Sequence, residues 1–156
     1  MSRKRYFALL SPSPMSNTFK KSERLKSRTL INRLFEREGC RQVNHLPFRF
    51  RWKMLEGHQP SRCQVLIVVS KRNVRLAVNR NRIKRQLREL YRLNKNPLLK
   101  TLEDKQARIA LMVSVQSNES LIFQDIGPIF AEGVKKLCLD IQKNYPGSIP
   151  AADRTL

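Results

Sequence analysis

The chain has 156 residues, with 32 Lys and Arg against 12 Asp and Glu, and a formal net charge of +20. This length suits one domain with its own core, and 40% apolar residues exclude a disordered basic tail. No run of the roughly 18 apolar residues needed to cross a bilayer occurs, and the basic residues are spread over several elements, so we expect no membrane contact. The three widely separated cysteines indicate a cytoplasmic protein. The charge indicates a polyanionic partner and binding that weakens strongly with salt.

The pattern of cysteines, histidines and acids predicts no chemistry carried by the protein itself. Cys40, Cys63 and Cys138 are widely separated, and neither His45 nor His58 lies at a metal-ligand spacing. We therefore expect reduced thiols and no metal site. The acids are few and scattered, whereas a nuclease acting alone would need clustered carboxylates to hold metal. We expect no catalytic residues in this chain.

The two ends of the chain differ in composition from its middle. Residues 1–18 are basic and contain Pro and Ser, so they are predicted to form a flexible extension. Their short apolar patch over 6–10 is too short for the core of a signal peptide. Residues 145–156 are predicted to form a loose tail. The folded domain is thus expected to span 19–144.

The first elements of this domain are a helix and a strand. Apolar spacing predicts a helix over 28–38, followed by a connection over 40–46. Residues 47–55 are predicted to form a strand, because apolar and basic side chains alternate along it. Its apolar face is expected to join the core, and its cationic face either meets solvent or follows phosphates. The two faces are formed by Phe48, Phe50, Trp52 and Met54, and by Arg49, Arg51 and Lys53.

Two β-branched runs, 63–70 and 108–115, predict buried strands. We interpret the first as a central strand, and residues 56–61 before it as a hairpin turn. Because a helical pattern separates the two runs, they are expected to lie parallel in one sheet. A last amphipathic helix is predicted over 123–144, with Pro128 in its first turn.

The stretch 79–92 has both helical spacing and a high density of cations. Over 71–92, nine Lys or Arg accompany one acid, Glu89. Asn79 is a plausible N-cap, and the cations that follow it oppose the helix dipole. A phosphate backbone would supply the missing negative charge, which favours nucleic-acid binding over a solvated basic face. After Asn94 we expect a polar loop. The apolar face consists of Ile83, Leu87, Leu90 and Tyr91.

The basic stretch resembles a known signature. The segment Arg80-Asn81-Arg82-Ile83-Lys84-Arg85, entered from Ser70-Lys71-Arg72, is similar to the R-N-R-I-K-R helix of the protein subunit of bacterial-type ribonuclease P. Residues Phe19, Lys21, Arg24 and Leu25 match the F-x-K-x-x-R-L opening of that family, and Phe35 matches an aromatic position on its first helix. The resemblance covers residues 19–144.

Three positions depart from the pattern of this family. Ile31 stands where the family commonly has a second aromatic on the first helix. Asn73 is inserted between the Ser-Lys segment and the signature, and Arg75 occupies the place of a glycine.

The resemblance implies an α+β fold: a single compact domain in the order αβββαβα, with a central mixed sheet packed by helices. It also implies that the central helix joins two parallel strands by a left-handed crossover, whereas such connections are almost always right-handed. The implied function is removal of the 5′ leader from precursor tRNA by the ribonuclease P endoribonuclease holoenzyme. In that holoenzyme the RNA subunit performs the hydrolysis with Mg²⁺ held mainly by RNA. The protein is an accessory subunit with no cofactor and no obligate protein partner.

The resemblance also implies two groups of site residues. Those expected to contact the catalytic RNA are Lys71, Arg72, Arg80, Asn81, Arg82, Lys84, Arg85 and Arg88. Those expected to line or flank a cleft for the 5′ leader, between the sheet and the first helix, are Phe19, Lys21, Arg24, Ile31, Phe35, Arg49 and Arg51. Aromatic side chains beside cations suit single-stranded RNA, since bases stack while phosphates pair with charge.

Two other functions fit the charge and size of the chain. A structural RNA-binding protein, such as a ribosomal component, would be equally basic. A DNA-binding regulator would place the central helix in the major groove, but no second half-motif or dimer interface is evident. The combination of the Ser-Lys segment with the R-N-R-I-K-R signature favours ribonuclease P over both.

Overall fold

The computed structural model describes residues 18–36, 39–57, 59–116 and 126–144. The predicted tail, and the predicted extension except for Thr18, lie outside these ranges. The elements follow the predicted αβββαβα order. They are α1 (Arg28–Glu36), β1 (Arg41–His45), β2 (Phe48–Met54), β3 (Cys63–Val68), α2 (Ala77–Asp104), β4 (Ile109–Val115) and α3 (Gly127–Asn144), with a 3-10 turn at Lys21–Glu23 before α1.

The four strands form one mixed sheet in the order β1-β2-β4-β3. Strand β2 is antiparallel to both β1 and β4, while β3 and β4 are parallel, as predicted. The position of β3 is a correction, because it is an edge strand rather than a central one. The connection over 56–61 is not a hairpin, since β4 lies between the two strands that it joins.

Strand β1 lies where the sequence pattern indicates only a connection, over 40–46. It pairs with β2 from Arg41 opposite Trp52 to His45 opposite Phe48. The strand is at the edge of the sheet and most of its side chains are exposed or half-buried. Val43 is its one apolar residue, so the strand lacks the alternation that marks a half-buried strand.

Helix α2 is longer than predicted, because it continues past Asn94 to Asp104 with Pro97 inside it. Leu98 and Leu102 are fully buried and extend the apolar face of the helix by two turns. Pro97 is exposed and removes one backbone donor. Burial of the two leucines stabilises the helix despite that loss, because helix stability comes mainly from packing of its apolar face.

The core has two parts, on opposite faces of the sheet. The larger lies between the sheet and helices α2 and α3, and it contains Phe48, Phe50 and Trp52, as predicted. Met54 departs from that prediction, since it is 42% exposed at the end of β2. The smaller part lies beneath α1 and consists of Leu25, Leu34, Leu55, Ala110 and Met112.

Gly133 allows α3 to approach the sheet closely. A Cβ atom at this position would lie 2.6 Å from Phe50 Cε2, so even alanine would overlap the buried ring. We expect Gly133→Ala to lower the free energy of unfolding by about 1 to 3 kcal/mol through overpacking. Urea denaturation measures this change, with Lys135→Ala on the exposed side of α3 as a control. Equal stability of the two variants would contradict the close approach.

Candidate nucleic-acid interface

The N-terminus of α2 carries positive potential without an internal counter-charge. The helix begins at Ala77, with Leu76 as N-cap, so the predicted capping role of Asn79 is wrong. No side chain caps this end, and no acid occurs in the first turn. The first backbone N–H groups of a helix lack partners within it. Together with the cations that follow, they form an anion-attracting helix end.

Arg80 of the signature has a structural role at this helix end. Its Nη1 donates hydrogen bonds to the carbonyl oxygens of Val74 at 2.9 Å and Arg75 at 2.7 Å. Arg80 thus holds the connection that leads into α2. Arg75, which replaces the glycine of the family, needs no left-handed backbone, because Gln106 is the only non-glycine residue with positive φ among the described residues.

The inserted Asn73 joins the Ser-Lys segment to the sheet. Its side-chain Nδ2 donates to the carbonyl oxygen of Val115 at 2.7 Å, at the end of β4. Its backbone N–H donates to the carbonyl oxygen of Ser70 at 3.2 Å. Asn73 therefore belongs to a turn that joins the sheet and leaves Lys71 and Arg72 exposed.

The other polar residues of the signature form one basic surface on α2, together with Arg88 from the next turn. We call this surface the signature face; it consists of Asn81, Arg82, Lys84, Arg85 and Arg88. Lys84 is half-buried and the other four are exposed. Their spacings of three and four residues place neighbours on adjacent turns. The one acid of the stretch, Glu89, accepts a hydrogen bond from Arg92 Nε at 3.1 Å, and this interaction lowers the pKa of the Glu89 carboxyl.

A groove of about 520 Å³ lies between the end of α1 and the sheet. We call it the sheet groove. It brings together three of the predicted leader residues, Phe35, Arg49 and Arg51, with Arg72, which the resemblance assigned to the catalytic RNA. The Phe35 side chain is 53% exposed, an unusual state for a large aromatic. The groove therefore offers an aromatic surface beside cations.

Arg51 is buried, whereas Arg49 and Lys53, the other two cations of β2, are half-buried. The cationic face of this strand is therefore not evenly exposed. Arg51 is 5% exposed. Its guanidinium donates to the carbonyl oxygen of Leu34 and to Gln42 Oε1, both at 2.9 Å. These bonds join α1 to β1 and β2 beneath the groove. Arg49 is half-buried, and its Nε lies 3.4 Å from Asn44 Oδ1.

Phe19 and Arg24 line a different groove, at the edge of the sheet. This edge groove has a volume of about 160 Å³ and also contains Arg88 of the signature face. The Phe19 ring packs edge-on against Tyr91 at 5.5 Å, and Arg24 Cζ lies 5.5 Å from the centre of the same ring. Leu66 of the edge groove and Val68 of the sheet groove both pack against the smaller part of the core, so the two grooves are neighbours on the same face of β3.

Two further predicted leader residues line neither groove. Ile31 is half-buried and packs against the smaller part of the core beneath α1. An apolar residue there supports α1 from below, and Phe35 supplies the exposed aromatic of that helix. Lys21 is exposed in the 3-10 turn, between Phe19 and Arg24 in the sequence.

The sequence predictions missed a buried ion pair between Glu23 and Lys95. Lys95 Nζ lies 2.8 Å from Glu23 Oε1, and Lys95 and Glu23 are 2% and 5% exposed. Burial of Lys95 could have been predicted from the sequence, because Ile83, Leu87, Tyr91 and Lys95 follow one another at intervals of four residues. This spacing places Lys95 on the buried face of α2, where a cation requires an acid partner.

The sequence predictions also concern metal-ligating side chains and thiols. No group of three or more His, Cys, Asp or Glu that could hold a metal ion occurs among them. Burial raises the pKa of the Cys63 thiol to about 12, so it stays protonated at neutral pH. In the same part of the chain, no helix is both long and apolar enough to cross a membrane.

Comparison with known proteins gives consistent matches. The sequence profile of the family described as Ribonuclease P matches residues 19–126. The ribonuclease P protein component of Porphyromonas gingivalis is 35% identical over 136 residues, which cover 87% of this chain and 95% of that protein. The corresponding protein of Marinobacter nauticus is 40% identical over 76 residues, covering 49% of this chain and 54% of that protein.

Solved structures show the same fold. The RNase P protein of Staphylococcus aureus superimposes with a TM-score of 0.53 at 20% identity, covering 79% of this chain and 97% of that one. The RNase P protein of Thermotoga maritima gives a TM-score of 0.53 at 20% identity, with 74% and 94% covered. The family profile matches more than two thirds of the residues of this chain, and the Porphyromonas gingivalis relative aligns over 95% of its own length. The chain therefore belongs to the ribonuclease P protein component family.

Proposed function

We propose that this chain is the protein subunit of ribonuclease P and acts in 5′ maturation of tRNA in the cytoplasm. In this role it binds the catalytic RNA and the 5′ leader of precursor tRNA. The proposal rests on one observation. A chain of this family exposes the signature face beside grooves that are lined by cations and by an exposed aromatic side chain.

The two kinds of surface suit two kinds of RNA contact. The signature face lies on the outer side of a helix and is rich in cations, which suits the phosphate backbone of a folded RNA. The sheet groove is concave and suits a single strand. Phe35 can stack on a base, while Arg49 and Arg72 lie where phosphates of the same strand would pass. Arg51 contributes positive charge from below and fixes the wall of the groove.

Hydrolysis is assigned to the RNA subunit and its Mg²⁺ in this proposal. The described carboxylates do not cluster, so these residues do not fit a magnesium site of their own. The protein contributes by positioning the leader and by offsetting the repulsion between two polyanions. Both effects lower the Mg²⁺ concentration that cleavage requires.

Cleavage of a precursor tRNA by ribonuclease P RNA at low Mg²⁺ tests this function, with and without the chain. We expect the chain to restore cleavage at the mature 5′ end and to be inactive alone. Cleavage by the protein alone would contradict the assignment of hydrolysis to RNA. Tight RNA binding without any stimulation would instead support a structural RNA-binding role, such as that of a ribosomal component.

A further inference from the structure

The buried ion pair between Lys95 and Glu23 also makes two bonds to the backbone. Lys95 Nζ donates a second hydrogen bond to the carbonyl oxygen of Thr18 at 2.5 Å. The other carboxylate oxygen of Glu23, Oε2, accepts the backbone N–H of Lys20 at 2.7 Å. The pair therefore fixes the backbone on both sides of Phe19.

The rest of this segment is anchored at its far end. The backbone N–H of Leu25 donates to the carbonyl oxygen of Val65 at 3.0 Å, so the segment adds a short parallel bridge to the edge of β3. Arg24 lies between the two anchors and its side chain is exposed in the edge groove. Its position over the Phe19 ring thus depends on the backbone that Glu23 and Lys95 hold.

A gain in folding stability does not explain why these two buried residues are charged rather than apolar. Replacing a buried ion pair by apolar groups of similar volume is often neutral or stabilising. What an apolar pair lacks is direction, because hydrogen bonds specify the position of the groups that they join. The bonds to Thr18 and Lys20 specify the conformation around Phe19, which apolar packing alone leaves less defined.

We propose that Glu23 and Lys95 are positioning residues, which hold Arg24 beside Arg88 in the edge groove so that both cations act on one single-stranded segment of bound RNA. The inference rests on the proposed function and deepens it, because it names the residues that hold Arg24, one of the predicted leader residues, in place. Arg24 comes from the N-terminal segment and Arg88 from α2, so the groove is complete only when the two elements are held together.

The chemistry of the edge groove fits a single RNA strand. Two exposed arginines can pair with phosphates, and the half-buried Phe19 ring adds an apolar surface to the same groove. The groove is next to the sheet groove on one face of β3, where Leu66 lines the first and Val68 the second. A leader strand that leaves the sheet groove around this edge therefore meets Arg24 and Arg88 next.

The double variant Glu23→Leu/Lys95→Met tests the positioning role. It removes one charge of each sign, so the net charge stays at +20. It keeps apolar packing but removes the bonds to Thr18 and Lys20. We expect thermal stability close to that of the original chain and about tenfold weaker binding of precursor tRNA by the holoenzyme, because a charge-assisted bond from Arg24 to RNA is no longer made. Binding of mature tRNA and of the RNA subunit should change less than about twofold, because neither contains the leader strand.

A matched control is Lys100→Gln/Glu103→Gln, which removes the same charges from exposed positions of α2. It should leave all three affinities unchanged. Combining Glu23→Leu/Lys95→Met with Arg24→Ala supplies a second test. If the pair acts through Arg24, the combined loss of precursor binding should be no larger than that of Arg24→Ala alone.

The outcomes separate this inference from the proposed function. Original affinity for precursor tRNA in a folded Glu23→Leu/Lys95→Met variant would overturn the positioning role alone. Fully additive losses in the combined variant would also overturn it. If the double variant does not fold, Arg24→Ala decides, because unchanged precursor affinity there removes the proposed RNA contact. Failure of the original chain to stimulate cleavage contradicts the proposed function instead.

Discussion

Replacing Arg82, Lys84 and Arg85 together with alanine is expected to weaken binding of ribonuclease P RNA by about 100-fold at ~0.1 M salt. Removing each phosphate contact should reduce the slope of log affinity against log salt by roughly 0.7 to 0.9, and hence by about 2 to 3 in total. Arg82 and Arg85 are exposed and Lys84 is half-buried, so none of the three belongs to the core. Affinity measured over a series of salt concentrations gives both quantities.

A matched control separates local contacts from net charge. Lys135, Lys136 and Lys143 are exposed on α3, and replacing them with alanine lowers the net charge by the same amount, from +20 to +17. This control should keep most of its affinity and its salt slope. Equal losses in the two triple variants would mean that binding follows overall charge, and the signature face would not be the RNA-binding surface.

The substitution Leu87→Ala is expected to lower the free energy of unfolding by about 2 to 5 kcal/mol. Leu87 is fully buried, in the core between α2 and the sheet. Its truncation removes apolar packing and leaves a cavity that the surrounding core fills only in part. Urea denaturation followed by circular dichroism measures the change.

Leu93 provides the control, because it is the same residue type on the same helix but is 45% exposed. Leu93→Ala should cost less than about 1 kcal/mol. A comparable cost at both positions would contradict the assigned orientation of α2. The Leu87→Ala variant should still bind RNA at temperatures where it remains folded, since Leu87 lies on the face opposite to the cations.

Periodicity is enough to predict the elements that bury one clear face. Strand β2 and helix α1 each alternate or repeat apolar residues in the period of their element, and both occur near the predicted bounds. The R-N-R-I-K-R signature and the F-x-K-x-x-R-L opening point to the family from the residues alone. The exposed state of Arg82, Arg85 and Arg88 also follows from helical spacing around Ile83 and Leu87.

Features that depend on neighbours far away in the chain could not be predicted from local patterns. Strand β1 has a mostly polar sequence and exists because β2 offers it a hydrogen-bonding edge. Strand β4 is buried on both faces because it lies between β2 and β3. The sequences of β3 and β4 are both apolar, so no local pattern shows which of the two is central. Helix α2 passes through Pro97 because Leu98 and Leu102 find a core to pack against.

By itself, the sequence of this protein determined its family, its basic character, the signature face and every helix and strand except β1, while the full αβββαβα order came from the family resemblance. Tertiary structure alone decided which predicted residues meet. It placed Arg72 with Phe35 and Arg49, separated Phe19 from them, and buried Arg51 and Lys95 against partners distant in sequence. The physical reason is that periodicity reports which face of an element is buried, whereas grooves and buried ion pairs depend on which elements pack together.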